Sequence, residues 1–345
     1  MTANYRAWEI DVGAFPRQGT DYDKLKFLLR FAVLAPSGHN TQPWNFSIKG
    51  NRISLWVNRD RSLEGSDPHR RQLMIAFGCA IENLLIAANH YGYESSVRYF
   101  PNVHDRDWVT EISVVEGKEN RRGNDDDFIA AIPSRHTNRS KYLNRPVPKS
   151  FWGRIKRYET SDSKISMVTE QDRRRIIADI VNEAQIEAMD DVGFREELSH
   201  YIKSSFTRQH AGMPGFALEI PAPISLFTSQ LIKHANLSRV NKKKDDALLK
   251  RYTPGGFVVI STRKNNSESW LAAGRLFERI WLASTAEGLN CSPMAAVIQS
   301  VRHNQQLRAA LDLDFEPQVF FRIGYADKRF RHSPRFSVDQ LLINK

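Results

Sequence analysis

A turn rich in hydrogen-bonding side chains follows the first long apolar segment of the chain. It reads Ala-Pro-Ser-Gly-His-Asn-Thr-Gln-Pro-Trp over residues 35–44. A helix must end at or before Pro36, because the residue before a proline is disfavoured in the helical region. The sequence therefore predicts an exposed turn, and its hydroxyl, imidazole and two amides suit it to bind a ligand. The alternative is a connector that only caps its neighbouring elements.

A second polar segment carries arginines at alternate positions. It reads Ser-Arg-His-Thr-Asn-Arg-Ser-Lys-Tyr over residues 134–142, and Pro133 separates it from an apolar run. This pattern predicts a loop or a first helical turn. In an extended segment Arg135, Thr137 and Arg139 point the same way. Guanidinium and hydroxyl groups donate well to an anion such as a phosphate. The alternative is a basic surface loop.

The elements around these segments follow from their apolar patterns. Residues 22–34 have a broad apolar face that predicts a helix, and alternation over 46–48 and 53–57 predicts two strands. The β-branched run at 255–262 predicts a buried strand, and 318–325 alternates like another strand. The first turn therefore lies between a helix and a strand, which is where rigid elements can position it.

Two segments with a glycine at each end indicate an internal repeat. Residues 78–92 align with 274–288, so that Glu82 matches Glu278 and both pairs of glycines coincide. Each segment predicts a mostly buried helix that ends at a glycine. Each also has a strand-like run upstream and a serine-containing loop downstream, with Ser96 and Ser292 in equivalent places. The alternative is a chance match between two short helices.

The repeats suggest a boundary between two units. Residues 117–127 contain no apolar side chain and predict a solvated connector. We therefore expect a first repeat over 1–125 and a second over 126–345. Glycines and prolines punctuate the segment 195–251, which predicts an irregular insertion that acts as a lid or an arm.

Composition excludes several classes of protein. Lys and Arg number 50 and Asp and Glu 39, which gives a net charge of +11 and favours anionic partners in general. Cys79 and Cys291 cannot form a disulfide framework and have no metal-ligand spacing around them. No apolar run resembles a signal peptide or approaches the length of a membrane span. The sequence also lacks a Rossmann glycine motif, a P-loop and a zincin motif. We therefore expect a cytoplasmic protein without a metal.

The first turn resembles a signature of a known family. Ala-Pro-Ser-x-x-Asn-x-Gln-Pro-Trp is similar to the flavin-edge motif of the nitroreductases, which bind FMN at a dimer interface. The tandem layout resembles the Acg-type branch, in which two such halves are fused and one composite flavin site survives. The resemblance extends over about residues 22–342 and is weakest over 161–251. It implies an α+β fold with a mixed sheet flanked by helices, and two fused repeats that form a pseudo-dimer.

The resemblance also implies a set of FMN-binding residues. The first turn would face the isoalloxazine ring, whereas Gln42 and Trp44 would be structural. The arginine segment is similar to the family's opening motif, the 288–296 segment to the loop over the flavin, and the 332–336 segment to the end of the phosphate pocket. The expected cofactor-binding residues are Pro36, Ser37, Gly38, Asn40, Arg135, His136, Thr137, Arg139, Ser292, Pro293, Met294, Ala295 and Arg335.

These residues have distinct expected roles. By the resemblance, Arg135, Thr137 and Arg335 would hold the phosphate, and Arg139 would lie near the pyrimidine edge of the flavin. His136 would fix its loop or contact the ribityl chain. Backbone amides near residues 294–296 would approach N5 and O4 of the flavin, although alanines stand where the family often has a glycine.

The two halves differ in a way that matters for the number of sites. The first half lacks its own arginine motif and has only scattered arginines such as Arg6 and Arg17. The second half lacks the Pro-Ser-x-x-Asn turn. The halves are therefore complementary, and we expect one complete flavin site between them.

The resemblance implies an FMN-dependent oxidoreductase. NAD(P)H would be the donor, and nitro compounds, quinones or related electrophiles would be the acceptors, without a catalytic side chain. One alternative is a non-catalytic protein that binds or sequesters FMN under a covering segment. A second is a nucleic-acid-binding protein, suggested by the charge and by Lys242-Lys243-Lys244, although no nucleic-acid-binding motif accompanies them. We expect no nucleic-acid or membrane partner, and a monomeric pseudo-dimer whose self-association the sequence leaves open.

Overall fold

The protein is described from a computed structural model. The structure describes residues 2–117, 126–236, 249–250, 255–328 and 331–345. Most of the predicted connector at 117–127 and the lysine run at 242–244 lie outside the described residues.

Helices and strands are interspersed along the described residues. The α-helices are α1 (Asp21–Ala32), α2 (Arg71–His90), α3 (Asp126–Ala131), α4 (Lys149–Lys156), α5 (Gln171–Asp190), α6 (Val192–Tyr201), α7 (Ala222–Ser225), α8 (Thr228–His234), α9 (Ser267–Ala286), α10 (Ala296–Gln299), α11 (Val301–Ala310) and α12 (Val338–Leu341). The strands are β1 (Trp44–Lys49), β2 (Arg52–Val57), β3 (Tyr93–Tyr99), β4 (Trp108–Glu116), β5 (Ser163–Val168), β6 (Ile202–Lys203), β7 (Met213–Pro214), β8 (Gly256–Thr262), β9 (Asn290–Pro293) and β10 (Glu316–Gly324).

Local sequence explains where helix α1 begins and ends. Thr20 and Asp23 form a capping box, which satisfies amides of the first turn. The helix ends at Ala32, four residues before Pro36, as the proline requires. Leu25, Phe27, Leu28, Leu29, Phe31 and Ala32 are buried on its apolar face. The predicted helix at 22–34 therefore forms within two residues of its expected bounds.

Two four-stranded sheets have the same strand order. The first is β1-β2-β4-β3 and the second is β5-β8-β10-β9, and every neighbouring pair is antiparallel. In each sheet a long helix, α2 or α9, connects the second strand to the third. The α+β class is confirmed, but both four-stranded sheets are antiparallel rather than mixed as predicted, and β6 and β7 form a separate two-stranded sheet. Parallel pairing among the described residues is confined to β6–β7 and to isolated bridges such as Phe46–Leu342.

Helices α2 and α9 cross at a pair of glycines. A Cβ at Gly78 would collide with the carbonyl oxygen of Leu271, and a Cβ at Gly274 would collide with that of Ile75. Only glycine permits this approach of two backbones. The aligned repeat segments begin at Gly78 and Gly274. In the structure both glycines lie inside their helices. The closing glycines at 92 and 288 follow the helix ends with φ of 89° and 71°.

Helix α2 is long and apolar enough to cross a membrane, but its apolar residues pack in the protein core. The segment before it acts as a cap, because the Asp67 carboxylate accepts the N–H of Leu73 at 2.9 Å. Ser96 and Ser292 lie in strands β3 and β9, not in the predicted loops, because their segments pair with β4 and β10. Cys79 and Cys291 are buried and free, as expected. No metal-binding cluster occurs among the described residues.

The described part of the 195–251 insertion is more regular than predicted. It contains most of α6, all of α7 and α8, and the short strands β6 and β7. Between α6 and α7, residues 204–220 run across the first turn, and we call this stretch the strap. Its main-chain carbonyls accept hydrogen bonds from side chains of distant segments, which include Asn4, Asn40 and Gln42.

Candidate functional site

The turn at residues 35–44 is mostly buried, not exposed as predicted. Asn40, Thr41, Gln42 and Trp44 are at most 6% exposed. The Asn40 amide donates to the carbonyl oxygens of Gly212 and Pro334 at 2.9 and 3.0 Å. The Gln42 side chain donates to the His210 carbonyl and accepts from the Phe336 amide. The strap and the C-terminal segment therefore cover the turn, and Gln42 and Trp44 are buried structural residues.

This turn also holds an unusual backbone. His39, Asn40 and Gln42 have φ of 48°, 58° and 52°. Such values are uncommon for residues other than glycine, and each is estimated to cost on the order of 1–3 kcal/mol. The Ser37 hydroxyl helps to hold the geometry by accepting the N–H of Gln42 at 2.9 Å. Strain of this kind clusters at functional sites.

Arg335 links the C-terminal segment to the same turn. Its guanidinium donates to the side-chain oxygen of Asn40 and, at 3.3 Å, to the carbonyl of Ala35. It also lies over the Trp8 ring at 4.9 Å from the centroid. Arg335 is 4% exposed, and its Nε has no hydrogen-bond partner among the described residues. Burial and then the nearby Arg135 hold the pKa of Arg335 well below its usual value.

The arginine segment forms an extended loop after α3 rather than a helical turn. Arg135 is buried, with its Nε 3.3 Å from a Glu278 carboxylate oxygen and its Nη2 donating to the Leu34 carbonyl at 2.7 Å. Thr137 forms a single β-bridge with Cys291, which explains the extended backbone. Arg139 donates to the carbonyl of Ala217 at 3.2 Å. Burial and then Arg322 lower the pKa of Arg139 to about 10.

The third segment is a strand followed by a helical turn. Ser292 and Pro293 belong to β9 and pair with β10. The N–H of Met294 donates to the carbonyl of Phe320 at 2.9 Å, so this amide is not available to a ligand as predicted. The amides of Ala295 and Ala296 precede or begin the short helix α10, where the first N–H groups have no acceptor within the helix.

These three segments and Arg335 border one cavity of about 1260 Å³. Every residue of the predicted cofactor-binding set lines it: Pro36, Ser37, Gly38, Asn40, Arg135, His136, Thr137, Arg139, Ser292, Pro293, Met294, Ala295 and Arg335. Residues that are up to about 300 positions apart in sequence therefore meet at a single site. Their individual roles remain predictions.

Sequence reasoning missed several residues that line or support this cavity. Arg322 borders it, is 1% exposed and donates to the Ser140 carbonyl at 2.8 Å. The sequence did contain a signal for Arg322, because it is a lone arginine within the apolar run of β10. Charged residues are seldom fully buried, so such a position is unusual. Glu278 supports the cavity wall through Arg135, and its signal was a carboxylate on an apolar helix. Trp8 and His332, whose stacked rings are 4.0 Å apart, gave no comparable signal.

The cavity wall is strongly electropositive. Arg135 and Arg335 are both buried there, with Glu278 as the carboxylate that contacts Arg135. Burial, and then His136, Arg135 and Arg335, lower the pKa of His332 to about 4. Burial raises the pKa of Glu278 to about 7, although Arg135 opposes this shift. Two buried guanidiniums around one carboxylate form a site that an anion would complete.

Comparison with known proteins identifies what this chain resembles. No family model matches the sequence. The chain is 26% identical to the putative NAD(P)H nitroreductase Rv3131 of Mycobacterium tuberculosis strain H37Rv. The alignment extends over 308 residues and covers 89% of this chain and 86% of the relative. It is 22% identical over 336 residues to the putative NAD(P)H nitroreductase acg of the same strain, which covers 92% and 95%.

Among solved structures, one match is the FMN and NADPH-dependent nitroreductase NfnB from sphigopyxis sp. strain HMH. The identity is 17% and the TM-score 0.42, and the match covers 63% of this chain and 98% of NfnB. The curated relatives confirm the predicted resemblance to the nitroreductase family. Because acg aligns over nearly the whole of both chains, the resemblance to the Acg-type branch is confirmed as well.

Proposed function

We propose that this protein is an FMN-dependent oxidoreductase that uses NAD(P)H and binds one FMN in the cavity between its two halves. The relatives named as NAD(P)H nitroreductases support the class of reaction. The observation that carries the proposal is the pair of buried guanidiniums, Arg135 and Arg335, at the wall of a large cavity. The Nε of Arg335 has no hydrogen-bond partner in the described part of the chain, which supports an anion-binding role for this side chain.

The hydrogen-bond donors, cations and uncharged surfaces of the cavity match the separate parts of FMN. Arg135, Thr137 and Arg335 are donors for a phosphate, which guanidinium groups bind with matched geometry. Arg139 and Arg322 are cations for the pyrimidine edge of the ring system. Pro36, Ser37, Gly38, Pro293 and Ala295 provide uncharged walls for a flat ring. His136 and Asn40 complete the proposed set, in which Asn40 holds Arg335 in place.

We further propose that the chain is a pseudo-dimer of two nitroreductase-like repeats, over 1–125 and 126–345. The identical strand order of the two sheets supports this proposal. So does the crossing of α2 and α9 at the aligned glycines 78 and 274. The first turn comes from one proposed repeat and the arginine segment from the other, which is consistent with one composite site. Self-association and a cytoplasmic location remain predictions.

Bound FMN would supply two-electron chemistry between a nicotinamide donor and an acceptor. The protein contributes fixed charges and the exclusion of water. Arg139 and Arg322 form a cationic patch that would stabilise negative charge at the pyrimidine edge without reorganising, which is the most effective form of electrostatic catalysis. Burial of Arg135 and Arg335 keeps the phosphate end dry and strengthens each charge-assisted hydrogen bond. Nitro compounds and quinones are the proposed acceptors.

The strap also favours a second candidate, a protein that sequesters FMN. Met213, Ala217 and Leu218 of the strap border the cavity. However, small-molecule sites typically measure about 300–1,000 Å³, and this cavity of about 1260 Å³ is larger. The additional space supports a second ligand beside the cofactor, and therefore favours the enzyme.

A visible spectrum of the purified protein under anaerobic conditions tests both candidates. Flavin bands that bleach on addition of NADH or NADPH, and return with a quinone or nitroarene, would support the oxidoreductase. Bands that persist with both nucleotides would favour sequestration. If the protein contains no flavin and binds no added FMN, both candidates are wrong.

A further inference from the structure

His39 lies at the cavity wall within the strained turn. It borders the cavity next to Gly38, and its backbone φ of 48° is held by the contacts of Asn40 and Gln42. Among the described residues, none forms a hydrogen bond with the imidazole ring. The ring instead contacts two aromatic rings, Phe194 at 6.1 Å and Tyr201 at 6.2 Å between centroids. A strained backbone therefore presents a polar ring to an open space.

The wall beside His39 is apolar and comes from α5 and α6. Ala188, Met189, Phe194 and Leu198 border the same cavity. A carboxylate anchors this wall, since Glu197 accepts the N–H groups of Gly65 and Ser66 at 2.8 and 3.0 Å. The wall is thus fixed to the first half of the chain and offers apolar surface for a flat ring.

The imidazole of His39 is neutral at physiological pH. Burial lowers the pKa of His39 to about 4, with a further lowering from Arg139, while Glu197 acts in the opposite direction. Tyr201, the other titratable group that faces the ring, has a pKa raised by burial and is uncharged. A neutral imidazole has one N–H donor and one acceptor nitrogen. It can therefore donate a hydrogen bond at any pH from about 5 upwards.

We infer that His39 donates a hydrogen bond to the oxygen atom of the electron-accepting substrate, while the apolar wall of α5 and α6 covers the substrate's ring. This inference deepens the proposed function and rests on it. The substrate is an uncharged aromatic compound with an oxygen that becomes negative as it accepts electrons, such as a quinone carbonyl. His39 orients this oxygen and stabilises its charge, as donors fixed towards a developing oxyanion do.

The electrons and protons balance without a net change at His39. NAD(P)H, the donor of the proposed function, gives up a hydride equivalent, which is two electrons and one proton. A quinone takes up these two electrons and two protons, one from the hydride equivalent and one from solvent, and becomes a hydroquinone. The imidazole keeps its own proton and acts only through the hydrogen bond.

The test separates the two half-reactions in a stopped-flow experiment on the FMN-loaded protein. We expect His39→Phe to slow the return of the flavin bands with 1,4-benzoquinone by about 10- to 100-fold, which corresponds to a lost hydrogen bond to a charged group. Bleaching at saturating NADPH and reoxidation by ferricyanide should stay within about twofold, because neither needs this hydrogen bond. His39→Gly, which suits a positive φ and has no side-chain donor, is a second variant in case the first does not fold.

A matched control and a binding measurement complete the test. His210→Phe is the control, because its ring stacks on Phe336 and is not among the described residues that border the cavity. In calorimetry, wild-type protein should bind acetophenone more tightly than ethylbenzene, and both His39 variants should lose this preference. Wild-type quinone rates in both His39 variants would overturn the inference while leaving the proposed function intact. A wild-type protein whose flavin neither NADH nor NADPH bleaches would refute the proposed function, and the inference with it.

Discussion

Nε of Arg135 lies 3.3 Å from a carboxylate oxygen of Glu278, and both side chains are at most 2% exposed. Arg135 comes from the loop after α3 and Glu278 from the middle of α9. The pair therefore fixes the proposed phosphate-binding arginine to the 20-residue helix α9. Arg135 therefore has a structural partner before any ligand binds. A mutation of Arg135 is expected to change the stability of the protein as well as the binding of a ligand.

Replacing Arg135 with alanine should weaken both FMN binding and folding. We expect FMN affinity to fall by about 2–5 kcal/mol, the usual cost of truncating one member of a buried charged pair. The free energy of unfolding should fall by about 3–5 kcal/mol, because Glu278 loses its partner. Fluorescence titration with FMN and urea unfolding of the FMN-free protein measure the two effects.

The double variant Arg135→Ala/Glu278→Gln separates these effects. Removal of the unpaired carboxylate should restore much of the stability, because a neutral amide costs less to bury than a charge. FMN affinity should remain low. A double variant that binds FMN as well as wild type would contradict the phosphate role of Arg135.

Replacing Arg335 with methionine should reduce the stabilisation that FMN gives. A ligand present at 1,000 times its Kd stabilises a protein by about 4 kcal/mol. We expect at least about 2 kcal/mol of this to disappear, because the variant lacks a buried donor for the phosphate. Thermal unfolding with and without FMN measures the difference. Arg6→Met, at an exposed position, is the matched control and should keep the full effect.

Alanine at the helix crossing should destabilise the protein. Gly78→Ala and Gly274→Ala each place a methyl group against the facing backbone, of Leu271 and Ile75 respectively. Overpacking of this kind typically costs about 1–3 kcal/mol. Gly153→Ala is the control, because a Cβ there meets no atom within 4 Å. It should be neutral or stabilising by about 0.5–1 kcal/mol in helix α4. Urea unfolding would contradict the close crossing if all three variants behaved alike.

The FMN-free protein should lose stability as the pH falls from about 6.5 to 4. His39 and His332 have pKa values lowered from 6.5 to about 4, so the unfolded chain takes up their protons first. Glu278 acts in the opposite sense, because its pKa is raised from 4.5 to about 7 and the native state binds that proton first. The effect of the two histidines is larger than that of the one carboxyl group, so the free energy of unfolding falls as the pH falls.

Urea midpoints at about pH 5 and pH 7.5 measure this dependence. His332→Gln should reduce the difference between the two midpoints, since it removes one of the two histidines. The exposed His69→Gln is the control and should leave the difference unchanged. An unchanged pH dependence in His332→Gln would mean that His332 is not the source of the effect.

Local patterns predicted the elements and the composition of the site. The apolar faces of α2 and α9 and the alternation of β10 follow from residue spacing, and the three polar segments all border the cavity. The exposure of the first turn was predicted wrongly, because the Gly212 and His210 carbonyls that cover it are about 170 positions away in sequence. Main-chain acceptors leave no signal in residue type. The buried positions of Glu278 and Arg322 likewise depend on long-range packing.

Much of the anchorage of the strap comes from its main chain. Side chains elsewhere donate to the carbonyl oxygens of Thr207, Gln209, His210, Gly212 and Ala217. Any amino acid offers such a carbonyl, although the positive φ of Gly212 (93°) and of Glu219 (58°) restricts the choice at these two positions. Many side chains of the strap can therefore be exchanged, in evolution or in the laboratory, while these main-chain hydrogen bonds are kept. The lining of the cavity can diversify while the proposed cofactor-binding residues are left untouched.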